Sequence, residues 1–151
     1  MQPPNGNYGE GLGPNGGVGG GPSGGENAID CVLYDPVTGS PTRLRDVWSS
    51  ADFLCLSFGS CSCNMFRGSH SKFEEVARRL GGNVRVKFLS IYISEAHPKD
   101  GWSFGAQNGR WDINQQTTLE ERRRDCRTWQ SSFRGTTRYL CDGMDNEAKL
   151  K

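Results

Sequence analysis

The chain has 151 residues, a net charge of +1, 34% hydrophobic residues, 21 glycines and 6 cysteines. That length suits one ordinary domain, and the near-neutral charge gives no support to a nucleic-acid-binding surface. The longest apolar stretch, Phe53 to Phe58 with its flanks, falls far short of the ~20 residues a membrane helix needs, and no apolar run near Met1 reads as a signal peptide. The expectation is a soluble intracellular protein whose thiols are reduced rather than built into a disulfide scaffold.

Residues 1–25 hold 11 of the 21 glycines and 4 of the 7 prolines. So little apolar surface cannot offset the ordering entropy, and the segment reads as a disordered Gly/Pro-rich leader. Residues 26–151 remain to build the domain. Ile29 to Tyr34 is β-prone, residues 35–41 are dense in turn formers, and Thr42 to Leu44 returns, which predicts a hairpin. Phe53 to Phe58 is a continuous apolar run of strand length, the pattern of a strand covered on both faces.

A helical pattern follows, with Phe66, Phe73, Val76, Ala77 and Leu80 on one apolar face and Gly81-Gly82 as its end. Val84 to Ile93 reads as the next buried strand. Strand, helix and strand make a βαβ unit, expected to cross over right-handed. Residues 97–111 have no period and read as a long functional loop. Thr118 to Phe133 is a second helix opened by a Thr118-x-x-Glu121 capping box, and Tyr139 to Cys141 a short third strand. A βαβ unit, one more helix and one short strand do not close a compact sheet. A further strand pair and covering helix are expected, so the C-terminus reads as incomplete.

The strongest chemical signal is Gly59-Ser60-Cys61-Ser62-Cys63, at the exit of a strand and the start of a helix. Reactive groups in open α/β sheets sit at the carboxyl ends of strands, and unpaired helix N–H groups favour a thiolate. A thiol of pKa ~8.5 is roughly 3% ionised at neutral pH, and lowering it two units takes about 2.7 kcal/mol. A helix N-terminus supplies only ~0.3–1 kcal/mol, so a further donor or cation is required, and His97 is the candidate. The alternative is that both cysteines are core fillers. A metal site is weaker still, because Cys61-x-Cys63 has no partner pair at finger spacing.

The second signal is Ile91 to Trp102, at the end of the following strand. Parallel neighbours bring Cys63 and His97 together. Glu95, two residues before the imidazole, is placed to orient and charge it, and Trp102 offers an aromatic face to a ring-shaped substrate. His70 falls on an apolar helix face and reads as a packed structural histidine. Arg122, Arg123, Arg124 and Arg127 read first as a solvated basic face, with a grip on an anionic ligand as the alternative.

These stretches resemble the iodothyronine deiodinases, selenoenzymes of the thioredoxin-fold superfamily, from about Asn27 to Lys151. Phe58-Gly59-Ser60-Cys61-Ser62-Cys63-Asn64-Met65-Phe66 is similar to the family's selenocysteine motif, with Cys63 in the selenocysteine place. Ile91-Tyr92-Ile93-x-Glu95-Ala96-His97-Pro98-x-Asp100-Gly101-Trp102 is similar to its most distinctive run. Leu119-Glu120-Glu121-Arg122 and Asp142-Gly143-Met144-Asp145-Asn146 resemble two later motifs.

The resemblance implies a thioredoxin-like α/β fold and reductive removal of iodine from thyroid hormone or related iodinated phenols. It implies no bound cofactor, and a small-molecule or protein thiol reductant as co-substrate. Cys63 is then the nucleophile and halogen acceptor, Cys61 the thiol that regenerates it, His97 and Glu95 the proton-handling pair, and Trp102 a pocket residue. The sequence departs from the family in four places, the first being that the resemblance implies a further strand segment, strand and helix beyond Lys151. Sulfur stands for selenium, Gln116 stands where the family usually has histidine, and the Gly-rich leader stands where the family has a membrane anchor. The alternatives are a thioredoxin- or peroxiredoxin-like thiol reductase or peroxidase, or an inactive truncated homologue. Homodimer formation is left open, and no nucleic-acid partner is expected.

Overall fold

The computed structural model describes residues 30–82, 85–102, 109–133 and 135–150. The Gly/Pro-rich leader, Ile29 and Val84 therefore lie outside the described residues. The order of elements is β1 (Val32–Tyr34), β2 (Pro41–Arg43), α1 (Leu44–Trp48), β3 (Phe53–Gly59), α2 (Asn64–Leu80), β4 (Val86–Tyr92), α3 (Leu119–Phe133), β5 (Arg138–Asp142) and α4 (Glu147–Leu150). The result is a mixed α/β fold consistent with a thioredoxin-like domain.

The five strands form one sheet in the order β2-β1-β5-β4-β3. The N-terminal hairpin is antiparallel, with Leu33 opposite Thr42, and β1 runs antiparallel to β5. β3 and β4 pair in parallel through α2, and β4 and β5 in parallel through α3. The short third strand expected at Tyr139 to Cys141 is therefore the middle strand of the sheet.

Strand periodicity divides the core in two. Successive side chains face opposite sides of a sheet. Leu89, Ile91 and Leu140 pack with Cys31, Leu33, Leu44 and Val47 on the face covered by α1. Tyr92, Tyr139 and Cys141 pack on the other face with Phe66 of α2 and Cys126 and Trp129 of α3. The capping box forms as read: Thr118 Oγ1 accepts the Glu121 amide at 3.2 Å, and a Glu121 carboxylate oxygen accepts the Thr117 and Thr118 amides at 2.8 and 3.2 Å.

Three readings change. β3 is not covered on both faces but lies at the sheet edge, with Phe53 64% and Phe58 42% exposed. A continuous apolar run does not distinguish a central strand from an edge strand, because the number of neighbours is a tertiary property. The buried face of α2 passes through Phe66, His70, Glu74 and Ala77, and leaves Val76 and Leu80 exposed. Polar His70 and Glu74 turn inward because β5 and the residues before it supply their partners. His70 Nε2 lies 2.7 Å from the Tyr139 hydroxyl, and Glu74 accepts the Thr136 amide at 2.7 Å and the Tyr139 hydroxyl at 2.7 Å. His70 is thus packed and structural, as expected.

The arginines of α3 are not a solvated face. Arg122 is buried and donates to the carbonyls of Asp142 and Gly143, which joins two of the motifs singled out in the sequence. Arg123 and Arg127 donate to the carbonyls of Asp35, Val37 and Pro36 in the β1–β2 turn. Only Arg124 projects outward, beside Asp125 at 3.1 Å. No described helix is long and apolar enough to cross a membrane.

Candidate active site

The last residue of β3, Gly59, pairs with Tyr92, the last of β4. The two loops that follow therefore leave the sheet side by side. A Cβ on Gly59 would lie 2.1 Å from the Phe66 ring, so the strand can turn into α2 at this close range only without a side chain. Cys63 is the N-cap of α2 and is partly exposed. Its carbonyl accepts the Arg67 amide at 3.0 Å, while its side chain makes no cap hydrogen bond.

Several hydrogen bonds lock the two loops together. The Ser60 and Ser62 hydroxyls accept the amides of Ala96 and His97 at 3.1 and 3.0 Å. The Cys61 amide donates to the Tyr92 hydroxyl at 3.2 Å, and that hydroxyl donates to Glu95. The Ser62 amide donates to the other Glu95 oxygen at 2.8 Å. Serine suits this work because it is small enough for the tight turn and still offers an acceptor.

Glu95 is buried, and its carboxylate is filled by Tyr92, the Ser62 amide and Gln116. It anchors the Cys61–Cys63 loop, and its hydrogen bonds do not go to His97. The reading of Glu95 as the group that orients the imidazole is corrected in this respect. The peptide N–H of Ser62 takes one of its oxygens at 2.8 Å. Gln116 bridges two buried carboxylates, donating to Glu95 at 2.9 Å and Asp125 at 2.8 Å.

His97 reaches the thiol loop through its backbone, and its ring packs on Trp102 with centroids 4.8 Å apart at 60°. Trp102 is 66% exposed, a flat aromatic rim beside the loop. Arg67, one turn into α2, donates to the Cys61 carbonyl and stands over the Trp111 ring at 5.5 Å.

The two thiols of the motif differ sharply. Cys61 is fully buried, and its Sγ lies 3.8 Å from the Asp125 carbonyl. Burial pushes its thiol up to about 12, against the opposing hydrogen bond with Tyr92. It is protonated at neutral pH in this conformation. Cys126 and Cys141 are equally enclosed, and all six cysteines are free thiols. Cys63 and Cys55 are the two that are not fully buried.

Sequence reasoning missed Tyr92, Ser62, Asp125 and Arg67 as parts of this site. Tyr92 had a legible signal, since it ends a buried strand next to the distinctive run. Asp125 had none, because it comes from α3 and joins only through folding. Among the described residues no group of three metal-ligating side chains is placed to hold an ion.

A thiol at a helix start, at the carboxyl end of a strand in a mixed α/β sheet, is consistent with a thioredoxin-like fold. A family model described as iodothyronine deiodinase matches residues 21–151. The chain belongs to the iodothyronine deiodinase family. It is 31% identical to a thyroxine 5-deiodinase of Sparus aurata over 106 residues, which is 70% of this chain and 38% of the relative. It is 34% identical to the Rattus norvegicus thyroxine 5-deiodinase over 106 residues, 70% of this chain and 33% of the relative. With the Homo sapiens type II iodothyronine deiodinase it shares 27% identity over 133 residues, 84% of this chain and 47% of the relative. The chain thus spans less than half the length of these relatives.

Proposed function

We propose that this chain carries the thiol centre of a reductive deiodination, with Cys63 as nucleophile and an iodinated phenol of the iodothyronine type as substrate. In the first step the Cys63 thiolate takes the iodine, the aryl carbon takes a proton, and a sulfenyl iodide forms. A thiol reductant then displaces iodide to leave a mixed disulfide, and a second thiol returns Cys63 to its reduced form and leaves as a disulfide. The arrangement of Cys63 on the loop that Glu95, Ser60 and Ser62 lock against His97 is the observation that carries this reading.

The roles divide by exposure. Cys63 is the reachable thiol of the pair. His97 handles the proton at the phenolic end, and Trp102 stacks on a ring. Glu95 is a positioning residue that holds the loop through the Ser62 amide and Tyr92. Gln116 steadies two carboxylates but offers no titratable group, so it passes no proton. Cys61 regenerates Cys63 only after the loop opens, because its sulfur is enclosed.

The test is iodide release from thyroxine with dithiothreitol as reductant. Release is expected from the unaltered chain and absent in Cys63→Ser. His97→Ala is expected to lower the rate by roughly 10²-fold while changing stability by less than about 1 kcal/mol, the pattern of a proton-handling loop residue. Undiminished release by Cys63→Ser overturns the assignment, and equal losses of stability and rate make His97 structural. A chain that reduces peroxide or disulfide through Cys63 but leaves thyroxine intact belongs to the thiol-reductase reading.

A further inference from the structure

Beside the thiol loop, and separate from it, a cavity of about 450 Å³ opens between the segment after His97 and the N-terminal turn of α3. That volume lies within the usual range for small-ligand pockets, but the lining is unusual. Such pockets are mostly apolar, whereas this one is walled by Lys99, Asp100, Asp112, Gln116 and Arg124, with Ile113 as its aliphatic member. An iodinated ring finds little there to pack against.

Part of this polar lining is already saturated. Glu121 commits one carboxylate oxygen to Thr117 and Thr118, and Asp125 commits both of its own to Gln116 and Arg124. The ammonium of Lys99 makes no ion pair or hydrogen bond among the described residues. Asp100 uses one oxygen on the Gln115 amide at 2.8 Å and keeps the other. The Lys99 amide donates to the Ile113 carbonyl at 2.9 Å, so the two walls are held at fixed separation. A cation and an anion facing one small cavity match a ligand that carries both charges.

We propose that this cavity is a subsite for the zwitterionic α-amino-acid head of a molecule that works at the neighbouring thiol. This rests on the thiol-centred function proposed above. Lys99 and Arg124 receive the carboxylate, and the second oxygen of Asp100 receives the ammonium. The cavity communicates with the reactive loop through Gln116, whose amide reaches Glu95, which in turn holds the Ser62 amide. Two molecules of the proposed reaction carry this head: a γ-glutamyl peptide thiol as reductant, and the amino-acid end of the iodinated substrate.

Titration calorimetry on the full chain separates them, with S-methylglutathione and 3,5-diiodotyrosine as probes. The des-amino analogue 3,5-diiodo-4-hydroxyphenylpropionate serves as control. At least one zwitterion is expected to bind, and Lys99→Gln with Arg124→Gln is expected to weaken it about tenfold, the usual effect of losing charge-assisted hydrogen bonds. Loss confined to S-methylglutathione assigns the cavity to the reductant. Loss confined to diiodotyrosine, with the control bound weakly by both proteins, assigns it to the substrate. Both side chains are exposed, so the thermal melt is expected to be unchanged, and Lys99→Gln alone gives part of the loss. No binding by either zwitterion, or binding that both substitutions leave intact, overturns the proposal. Because binding is read without turnover, absence of iodide release counts against Cys63 as deiodinating nucleophile and leaves this result standing.

Discussion

Cys61 and Cys63 are separated by one serine, yet only Cys63 meets solvent. The difference comes from the turn into α2, which puts Cys63 on the helix cap and tucks Cys61 against the Asp125 carbonyl. Alkylation by iodoacetamide at neutral pH, mapped by mass spectrometry, is therefore expected to mark Cys63 early and Cys61 with the late group of Cys126 and Cys141. Equal rates at Cys61 and Cys63 in the folded chain are incompatible with the enclosed thiol described here. Gly59 makes the same turn possible. Gly59→Ala drives a methyl into the Phe66 ring, and overpacking of this kind costs about 1–3 kcal/mol. Chemical denaturation is expected to show that loss, and Phe66→Leu in the same chain is expected to recover part of it by withdrawing the ring.

At the scale of elements, α2 is tied to β5 through a buried network rather than an apolar seam. The Tyr139 hydroxyl donates to Glu74, so His70 Nε2–H donates to Tyr139, and His70 Nδ1 is left without a hydrogen-bond partner. Protonating Nδ1 would place an unpaired donor in the core. Burial accordingly holds the imidazole below its ordinary 6.5, outweighing the pull of Glu74 at 3.4 Å. The folded chain then binds fewer protons than the unfolded chain as pH drops below about 6.5, so stability is full above that pH and declines on acidification. Burial pushes the Glu74 carboxyl up, but hydrogen bonds from Thr137, Tyr139 and the Thr136 amide prevail and hold it below 4.5. Its contribution is present above about 4.5 and is lost as pH falls through the lower folded value. Urea midpoints at pH 7.5, 6.5 and 5.5 are expected to fall in that order, and His70→Gln is expected to flatten the trend. A midpoint constant over this range contradicts the neutral buried histidine. Glu74→Gln at neutral pH strands several donors of the segment before β5 and is expected to cost about 1.5–3 kcal/mol, the range for hydrogen bonds to a charged group.

For the molecule as a whole, the consequence of the strand order is that β3 has no partner strand on its outer side among the described residues. Phe53 and Phe58 stand exposed on it, and Met65 is 77% exposed at the neighbouring start of α2. Unpaired strand groups beside apolar side chains favour association with other chains. Phe53→Lys is expected to raise the concentration at which light scattering reports monomer, with little change in the thermal melt because the ring is already in solvent. Unaltered association in Phe53→Lys would show that the β3 edge is not where chains meet.

The elements were legible in the sequence because each rests on a local cause. A β-prone stretch and turn residues marked the hairpin, the Thr118–Glu121 capping box marked the start of α3, and the apolar runs marked β3 and β4. The same local reading brought Cys61, Cys63, Glu95, His97 and Trp102 into view, since they lie at strand ends within two short stretches. Neighbours across the fold were not legible. Whether Phe53–Phe58 is central or at an edge depends on which strands pair with it. The polar face of α2 was turned inward by Tyr139 and Thr137, more than sixty residues away. Arg122, Arg123 and Arg127 look alike in a string, and only the carbonyls that packing brings to them make them internal ties. The Glu95 carboxylate goes to Tyr92, the Ser62 amide and Gln116 rather than to His97, because a carboxylate goes to the donors that the fold presents. Local propensity is written in neighbouring residues, whereas burial and hydrogen-bond partnership are set by chain segments that meet only in three dimensions.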